Sequence, residues 1–521
     1  MNGAQSLVAT LTGADVTVCF ANPGTSEMHF VAALDRAPDL RGVLCLFEGV
    51  ATGAADGYGR LLDRPAATLL HLGPGLANGL ANLHNARRAR TPIVNVVGDH
   101  ATYHKRFDAP LESDIDALAG TVSCWVRRPS RPQDVGADTA AAVAAARSGG
   151  RGIATLILPA DVSWGKEGVV AAVAPPRPAA QVADSVVADV ATALSGDEPA
   201  VLLLGGQALR EPALSAAARV AVATGCRVVM ETFTPRVERG RGRPVFERLG
   251  YFSEMAEAQL AGTRHLVLAG AAAPVAFFAY PERASDLVPA GCQVHLLAGP
   301  ADDVPAALAA VAERVGAPPA PPTGPAAARP VVPAVTATLS AEAVGSVIGA
   351  GLPEGAVLVD EAITATVGLA AGTAGAAPHD WLGHTGGAIG QGLPIATGAA
   401  VALVGSGRRV VSVEADGSAM YTIQALWTQA RESLDITTII LNNRAYAILQ
   451  IEMHRVQADP PGPSAAALLD LGQPTLDVVA LAGGFGVPGV RVTTAGELDS
   501  AFRRSLAQPG PFLIDAVLPG R

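Results

Sequence analysis

The chain has 521 residues, half of them hydrophobic and 4% aromatic, with 57 glycines and a net charge of -10. That composition excludes disordered and fibrous classes and indicates Ala/Val/Gly-rich α/β architecture, enough for about three domains. The acidic balance argues against nucleic acid as a partner, because the one short basic stretch, Arg87-Arg88-Ala89-Arg90, reads as the end of a helix. No charge-free apolar stretch of about 18 residues appears, so no membrane span is expected. The N-terminus lacks the basic-then-apolar pattern of a signal peptide. The five cysteines are scattered, form no C-x-x-C pair and mostly lie in apolar runs. They read as buried, inert thiols of a reducing cytoplasm.

Short Val/Leu/Ile runs alternate with Ala-rich amphipathic stretches. In the first block, strands are expected at 16–20, 42–47, 67–72 and 93–97. The second run delivers Glu48 to its end, where a carboxylate is costly unless paired or protonated. The alternative is a Glu stabilised by the dipole of the Gly/Ala/Thr-rich helix that follows. The third run ends at His71, before Gly73-Pro74-Gly75; this is either a structural His or one placed to move protons. After the fourth run comes Asp99-His100-Ala101-Thr102-Tyr103-His104-Lys105-Arg106. His100 and His104 would share a helix face. No further ligand stands at zinc-site spacing, so the segment reads as a polar loop facing substrate.

Pro/Ala-rich stretches at 171–181 and 317–333 read as semi-rigid connectors. They set off an N-terminal domain (1–170), a central domain (182–316) and a C-terminal domain (334–521). Strands at 200–204, 227–230 and 265–268 belong to the second, and those at 357–359, 409–413 and 437–441 to the third. Continuous apolar strands between helices indicate parallel sheets covered on both faces, hence three doubly wound α/β domains. Gly205-Gly206 follows a central-domain strand without the full spacing of a nucleotide loop and reads as a tight strand-to-helix turn.

The C-terminal block holds Asp360-Glu361-Ala362-Ile363-Thr364 and a glycine-rich stretch, GHTGGAIGQGLPIATG, at 383–398. It then runs from Glu414 to Tyr446 as a strand–helix–strand unit. A right-handed crossover makes the two strands parallel neighbours, so Asp416 and Asn443 emerge at one carboxyl edge. A carboxylate beside an amide oxygen suits a hard divalent cation that takes its other ligands from water and phosphate. Gly417-Ser418 opens the intervening helix, whose free N–H groups would face that phosphate. The residues themselves thus propose a Mg2+-bridged diphosphate site.

This segment resembles the thiamine-diphosphate fingerprint, Gly-Asp-Gly followed at a fixed interval by Asn-Asn, with Ala415 in place of the first glycine. Asn22-Pro23-Gly24-Thr25-Ser26-Glu27, the stretch around Glu48, and His71 to Asn78 extend the likeness. The chain resembles the acetolactate synthase and benzoylformate decarboxylase group of thiamine-diphosphate enzymes along nearly its whole length. The resemblance implies thiamine diphosphate and Mg2+ as cofactors and a small 2-oxo acid as substrate. It implies that Glu48 hydrogen-bonds N1′ of the aminopyrimidine, and that Pro23, Gly24, Thr25 and Asn78 lie at the cofactor. The backbone carbonyl of Gly387 would accept from the 4′-amino group, next to Ala388. Ile389 would wedge under the cofactor, its alternative being a core Ile in a Gly-rich turn. Thr364, Gly417, Ser418 and Tyr446 would meet the cofactor at its diphosphate end. Asp416, Asn443 and the carbonyl of Ala445 would hold the metal. His71 matches a catalytic His of the decarboxylase branch, the Thr25 and Ser26 hydroxyls match its substrate loop, and Glu27 is expected to cap the next helix. The family joins the first domain of one subunit to the third of another, implying a homodimer or homotetramer with active sites at the interface.

Departures are visible on the substrate side. The second catalytic His of the decarboxylase branch has no counterpart in the apolar stretch from Pro274 to Tyr280. Gly49, Leu111 and Cys124 stand where acetolactate synthases carry Gln, Gln and Lys. His384 is a further candidate for the pocket wall. The resemblance leaves FAD open in the central domain, where the only glycine loop is weak. Carboligation of pyruvate to acetolactate is the first expectation, and simple decarboxylation of an aryl or branched 2-oxo acid the second. A cofactor-binding paralogue without catalysis is the third.

Overall fold

The computed structural model describes residues 1–320, 328–456 and 461–519, so 321–327 of the second expected connector lie outside the described residues. The apolar runs fold as parallel strands because each is covered on both faces by Ala-rich helices. The first sheet contains β1 (Val18–Ala21), β2 (Arg41–Leu44), β3 (Ala66–Leu70), β4 (Ile93–Asp99), β5 (Trp125–Arg127) and β6 (Ile153–Pro159), in the order β2-β1-β3-β4-β6-β5. All its pairings are parallel. β3, β4 and β6 are buried along their whole length.

The next strands are β7 (Ala200–Leu204), β8 (Arg227–Met230), β9 (Val237–Arg239), β10 (Glu247–Arg248), β11 (His265–Ala269) and β12 (Gln293–Ala298). Five of them form a parallel sheet in the order β10-β8-β7-β11-β12. β9 leaves this group. It pairs antiparallel with β14 (His379–Leu382) and becomes the edge strand of the third sheet. That sheet also contains β13 (Val357–Glu361), β15 (Val410–Ala415), β16 (Ile436–Asn442), β17 (Gly489–Val492) and β18 (Phe512–Val517), in the order β17-β18-β16-β15-β13-β14-β9. The exchange is tied by Arg236, whose Nε donates to Asp380 at 2.7 Å. Sequence patterning did not reveal the exchange, because a three-residue strand carries no period.

The first and third sheets meet through the Glu48–Leu62 and Gly392–Ala402 helices. Both helices are buried on nearly every side. A Cβ on Gly57 would run into the backbone of Ile395, and one on Gly398 into that of Ala54. Glycine at these crossing points lets two backbones touch, which explains the small-residue composition of both helices. One apolar cluster accordingly spans the two sheets, joining Val50, Ala51 and Ala54 to Leu393, Ile395 and Ala399.

His100 and His104 do not share a helix. Their segment is a turn, although the rings lie 5.4 Å apart. Asp99 accepts from the His100 N–H at 2.8 Å and from Lys105 Nζ at 3.3 Å, and Lys105 also pairs with Glu112 at 2.5 Å. Asp99 and Lys105 are therefore paired rather than free. Cys19, Cys45 and Cys226 are buried, as the apolar runs imply, whereas Cys124 is exposed and Cys292 half-buried. Burial pushes the Cys19 thiol up to about 12. Among the described residues no helix is long and apolar enough to cross a membrane.

Candidate active site

Glu48 is the first residue of its helix, at the carboxyl edge of the first sheet. It is 7% exposed, and its Oε2 accepts from Asn78 Nδ2 at 3.0 Å. Asn78 comes from the Leu72–Ala89 helix, which begins just after His71 and β3. His71 Nδ1 lies 2.9 Å from Glu27 Oε2. Glu27, only 3% exposed, also accepts from the Gly24 N–H at 2.8 Å and from the Ser26 hydroxyl. Glu27 thus closes a capping box on Gly24 at the Thr25–Glu27 turn, while the Met28–Leu34 helix that follows has no side-chain cap of its own. A buried carboxylate takes the partners that satisfy it, and here these lie behind it, in the Gly24 turn and on His71. Pro23 and Gly24 are half-buried and Thr25 is exposed on the same loop.

The second group lies at the carboxyl edge of the third sheet. β15 and β16 are parallel neighbours, with Ala415 opposite Leu441, so Asp416 and Asn443 leave the sheet side by side. Asp416, 2% exposed, accepts from the N–H groups of Gly417 at 2.8 Å and Arg444 at 2.6 Å. Burial raises its pKa, and the backbone donors oppose the rise. Asn443 Oδ1 accepts from the Ala445 N–H at 3.0 Å. Gly417 has no room for a side chain because the Tyr446 ring lies against it, and Ser418 is buried in the same turn. Thr364 sits in the turn Ile363–Ala365 after β13.

The third group is the glycine-rich loop. Gly387 has φ +86, a conformation open to glycine. The Leu72–Ala89 helix grips the loop: Asn85 Nδ2 donates to the Ala388 carbonyl at 2.8 Å, Asn82 Nδ2 to that of Gly390 at 3.3 Å, and His84 Nε2 meets that of Gly386 at 3.0 Å. From below, Glu361 accepts from the N–H groups of Gly390 at 2.8 Å and Gly392 at 2.6 Å. Ile389 lies in this loop and is half-buried. His384 Nε2 lies 3.1 Å from the Ala388 carbonyl.

Sequence reading missed Glu27 as the partner of His71, Glu361 as the clamp of the loop, and Asn82 and Asn85. A signal for the asparagines existed: Asn78, Asn82 and Asn85 recur at i, i+4 and i+7, one stripe of a helix. Burial raises the pKa of Glu361, and that of Glu414 behind it rises well above the ordinary range through burial and then through Glu361.

The structure joins Glu48, Asn78 and His71 into one cluster and Asp416, Asn443 and Tyr446 into another. Among the described residues no hydrogen bond or ion pair connects Glu48 or His71 to Asp416 or Asn443. The donor set at the third sheet is oxygen only, which fits Mg2+. Among the described residues no group of three or more His, Cys, Asp or Glu is arranged to hold a metal, so amide, carbonyl and phosphate oxygens must complete any coordination around Asp416. The turn of Gly417 and Ser418, with helical N–H groups at its start, fits a diphosphate.

A flavin dinucleotide does not fit the turn after β7. Glu231 Oε1 already accepts from the Gly206 N–H at 3.1 Å, and a Cβ on Gly205 would lie 2.7 Å from its Oε2. The carboxylate fills the place a phosphate would need and would repel it.

Comparison with known proteins agrees with this geometry. Residues 1–119 match the model of the thiamine pyrophosphate enzyme N-terminal TPP binding domain, and residues 366–516 that of the C-terminal TPP binding domain. A Mycobacterium tuberculosis protein provisionally named acetolactate synthase large subunit IlvX is 60% identical over 520 residues, covering 100% of this chain and 99% of its own. Benzoylformate decarboxylase of Pseudomonas aeruginosa is 30% identical over 529 residues, covering 96% of each chain. A solved 4-hydroxybenzoylformate decarboxylase from Rhodococcus jostii RHA1 superposes with a TM-score of 0.85 over 100% of both chains at 24% identity, a likeness of fold. The chain belongs to the thiamine pyrophosphate enzyme family.

Proposed function

We propose that the protein is a thiamine-diphosphate- and Mg2+-dependent enzyme of acetolactate synthase type, joining two pyruvates to give acetolactate and CO2. When bound, thiamine diphosphate supplies a carbon nucleophile and an electron sink for decarboxylation. Asp416, Asn443 and the Ala445 carbonyl would hold Mg2+ against the diphosphate, with Thr364, Gly417, Ser418 and Tyr446 around it. Glu48 would hold a proton at N1′ of the aminopyrimidine, steadied by Asn78. Gly387 would accept from the 4′-amino group through its carbonyl, and Ile389 would keep the cofactor bent. With Nδ1 of His71 committed to Glu27, Nε2 is the nitrogen left to move a proton to or from substrate. Free cysteines and the interface expected from the family support a cytoplasmic homo-oligomer. No step is assigned to FAD.

The observation that carries this reading is Glu48. Cofactor binding alone does not require a buried carboxylate at the start of a helix with a single side-chain partner. Glu48→Gln is expected to lower turnover by about 100-fold or more while cofactor affinity stays within about threefold, read by steady-state kinetics and calorimetry. Wild type that binds the cofactor but turns over no 2-oxo acid would favour a binding paralogue. Decarboxylation of a larger 2-oxo acid to an aldehyde is the second reading, favoured by the Glu27–His71 pair.

A further inference from the structure

Aromatic residues are scarce in this chain, yet Phe233, Tyr251, Phe277 and Phe278 converge beside the glycine-rich loop. Phe277 packs against Phe233, Tyr251 and Phe278 with ring centroids 5.4, 5.2 and 4.7 Å apart, and Phe233 meets the His384 ring at 6.4 Å. Phe277 stands at the base of a hairpin, just past the bridge between Val275 and Asp286 that closes it. A Cβ placed on Gly387 would lie 2.8 Å from Phe277 Cζ. Glycine is therefore what admits the ring, which rests in van der Waals contact with the loop backbone. Phe277 is nevertheless 39% exposed, so its neighbours cover only part of it.

The cluster continues through Phe252, which packs on Tyr251 with ring centroids 5.1 Å apart. Arg455, from the Ala447–Arg455 helix, lies 4.0 Å over Phe252 and 4.6 Å over Tyr280, and pairs with Glu254 at 2.6 Å and Glu452 at 2.9 Å. A ring packed against three other rings does not swing aside readily. No departure from the substrate signatures of the family predicts this, since the stretch from Pro274 to Tyr280 reads only as apolar.

We propose that Phe277 is a specificity-determining residue whose ring occupies the volume beside Gly387 and limits the 2-oxo acid that is decarboxylated to one with a small side chain, such as methyl. The inference rests on the 2-oxo acid reading above and deepens it. Since the ring touches the backbone, no substrate side chain can pass between them, and a phenyl group on the substrate would have to take the place the ring holds. Removing the ring opens that volume, and each methylene-sized change in such a wall alters discrimination about tenfold or more.

The test compares wild type, Phe277→Leu and Phe277→Ala holoenzymes with pyruvate and phenylglyoxylate. Calorimetry adds lactate and mandelate, the matching 2-hydroxy acids, which carry the same side chains and have no ketone to react. The expected result is a phenyl-to-methyl ratio of kcat/KM raised about tenfold or more in Phe277→Ala, chiefly through KM, with the leucine variant between. Mandelate should tighten by a similar factor while lactate stays within about threefold. An unchanged ratio and unchanged mandelate affinity, with pyruvate still turned over, would overturn the inference and leave the functional reading intact. A falling ratio would overturn it too, marking the ring as a stacking partner for aryl substrates. Wild type that turns over neither acid would overturn the functional reading, and this inference with it.

Discussion

At the scale of single residues, the site is built from buried carboxylates, each with a defined set of donors. Glu27 illustrates the cost of disturbing one. Replacing it with alanine strips the Gly24 N–H and His71 Nδ1 of their partner. Glu27→Ala is expected to destabilise the fold by about 2 kcal/mol and to lower turnover about tenfold or more, while cofactor affinity stays within about threefold. Glu27→Gln keeps an acceptor and should recover most of the stability, as read by denaturant unfolding. Asp416 and Asn443 were legible in the sequence because a strand end and a fixed interval put them on one edge. Glu361 was not, since its role depends on where a loop 29 residues away returns over the sheet. Glu27 was legible only in part: the adjacent turn makes it a cap, as its capping box on Gly24 shows, but its second partner, His71, comes from a distant part of the chain.

At the scale of elements, the apolar runs placed most strands of the three sheets within a few residues, since fully buried parallel strands leave an uninterrupted hydrophobic signature. The strand expected at 42–47 stops at Leu44, and the following turn delivers Glu48 into the first turn of a helix. β9 and its move to the third sheet were invisible, because tertiary pairing alone defines so short a strand. The turn after β7 carries a pH signature. Burial raises Glu231 from 4.5 to about 7, against the Gly206 N–H and the charge of Arg90. A carboxyl held above its unfolded value keeps a proton that the unfolded chain releases. Its stabilising contribution is full below about 4.5 and is lost as pH rises through about 7. Glu231→Gln retains the acceptor without the charge. It should therefore stabilise the fold by about 1 kcal/mol near pH 8, less than the full shift because the group is partly open to water, and the gain should fade toward pH 5. Thermal melts across that range would show it, and a constant difference would contradict it.

At the scale of the whole molecule, two clusters lie on different sheets without touching directly. Glu48 and His71 belong to the first sheet, and Asp416 and Asn443 to the third, with the Leu72–Ala89 helix gripping the glycine-rich loop between them. Composition, linkers and fingerprint made the three-sheet α/β plan readable from sequence. Substrate choice was not, because it lies in irregular segments such as the hairpin carrying Phe277, where no periodicity constrains the side chains. Together these clusters are expected to decarboxylate a 2-oxo acid with thiamine diphosphate and Mg2+. The direct measurement is CO2 release and NMR-detected product from pyruvate with purified protein, with each cofactor present or withheld. Acetolactate and CO2 that require both cofactors are the expected result. Bound thiamine diphosphate with no CO2 from pyruvate or any larger 2-oxo acid would contradict it.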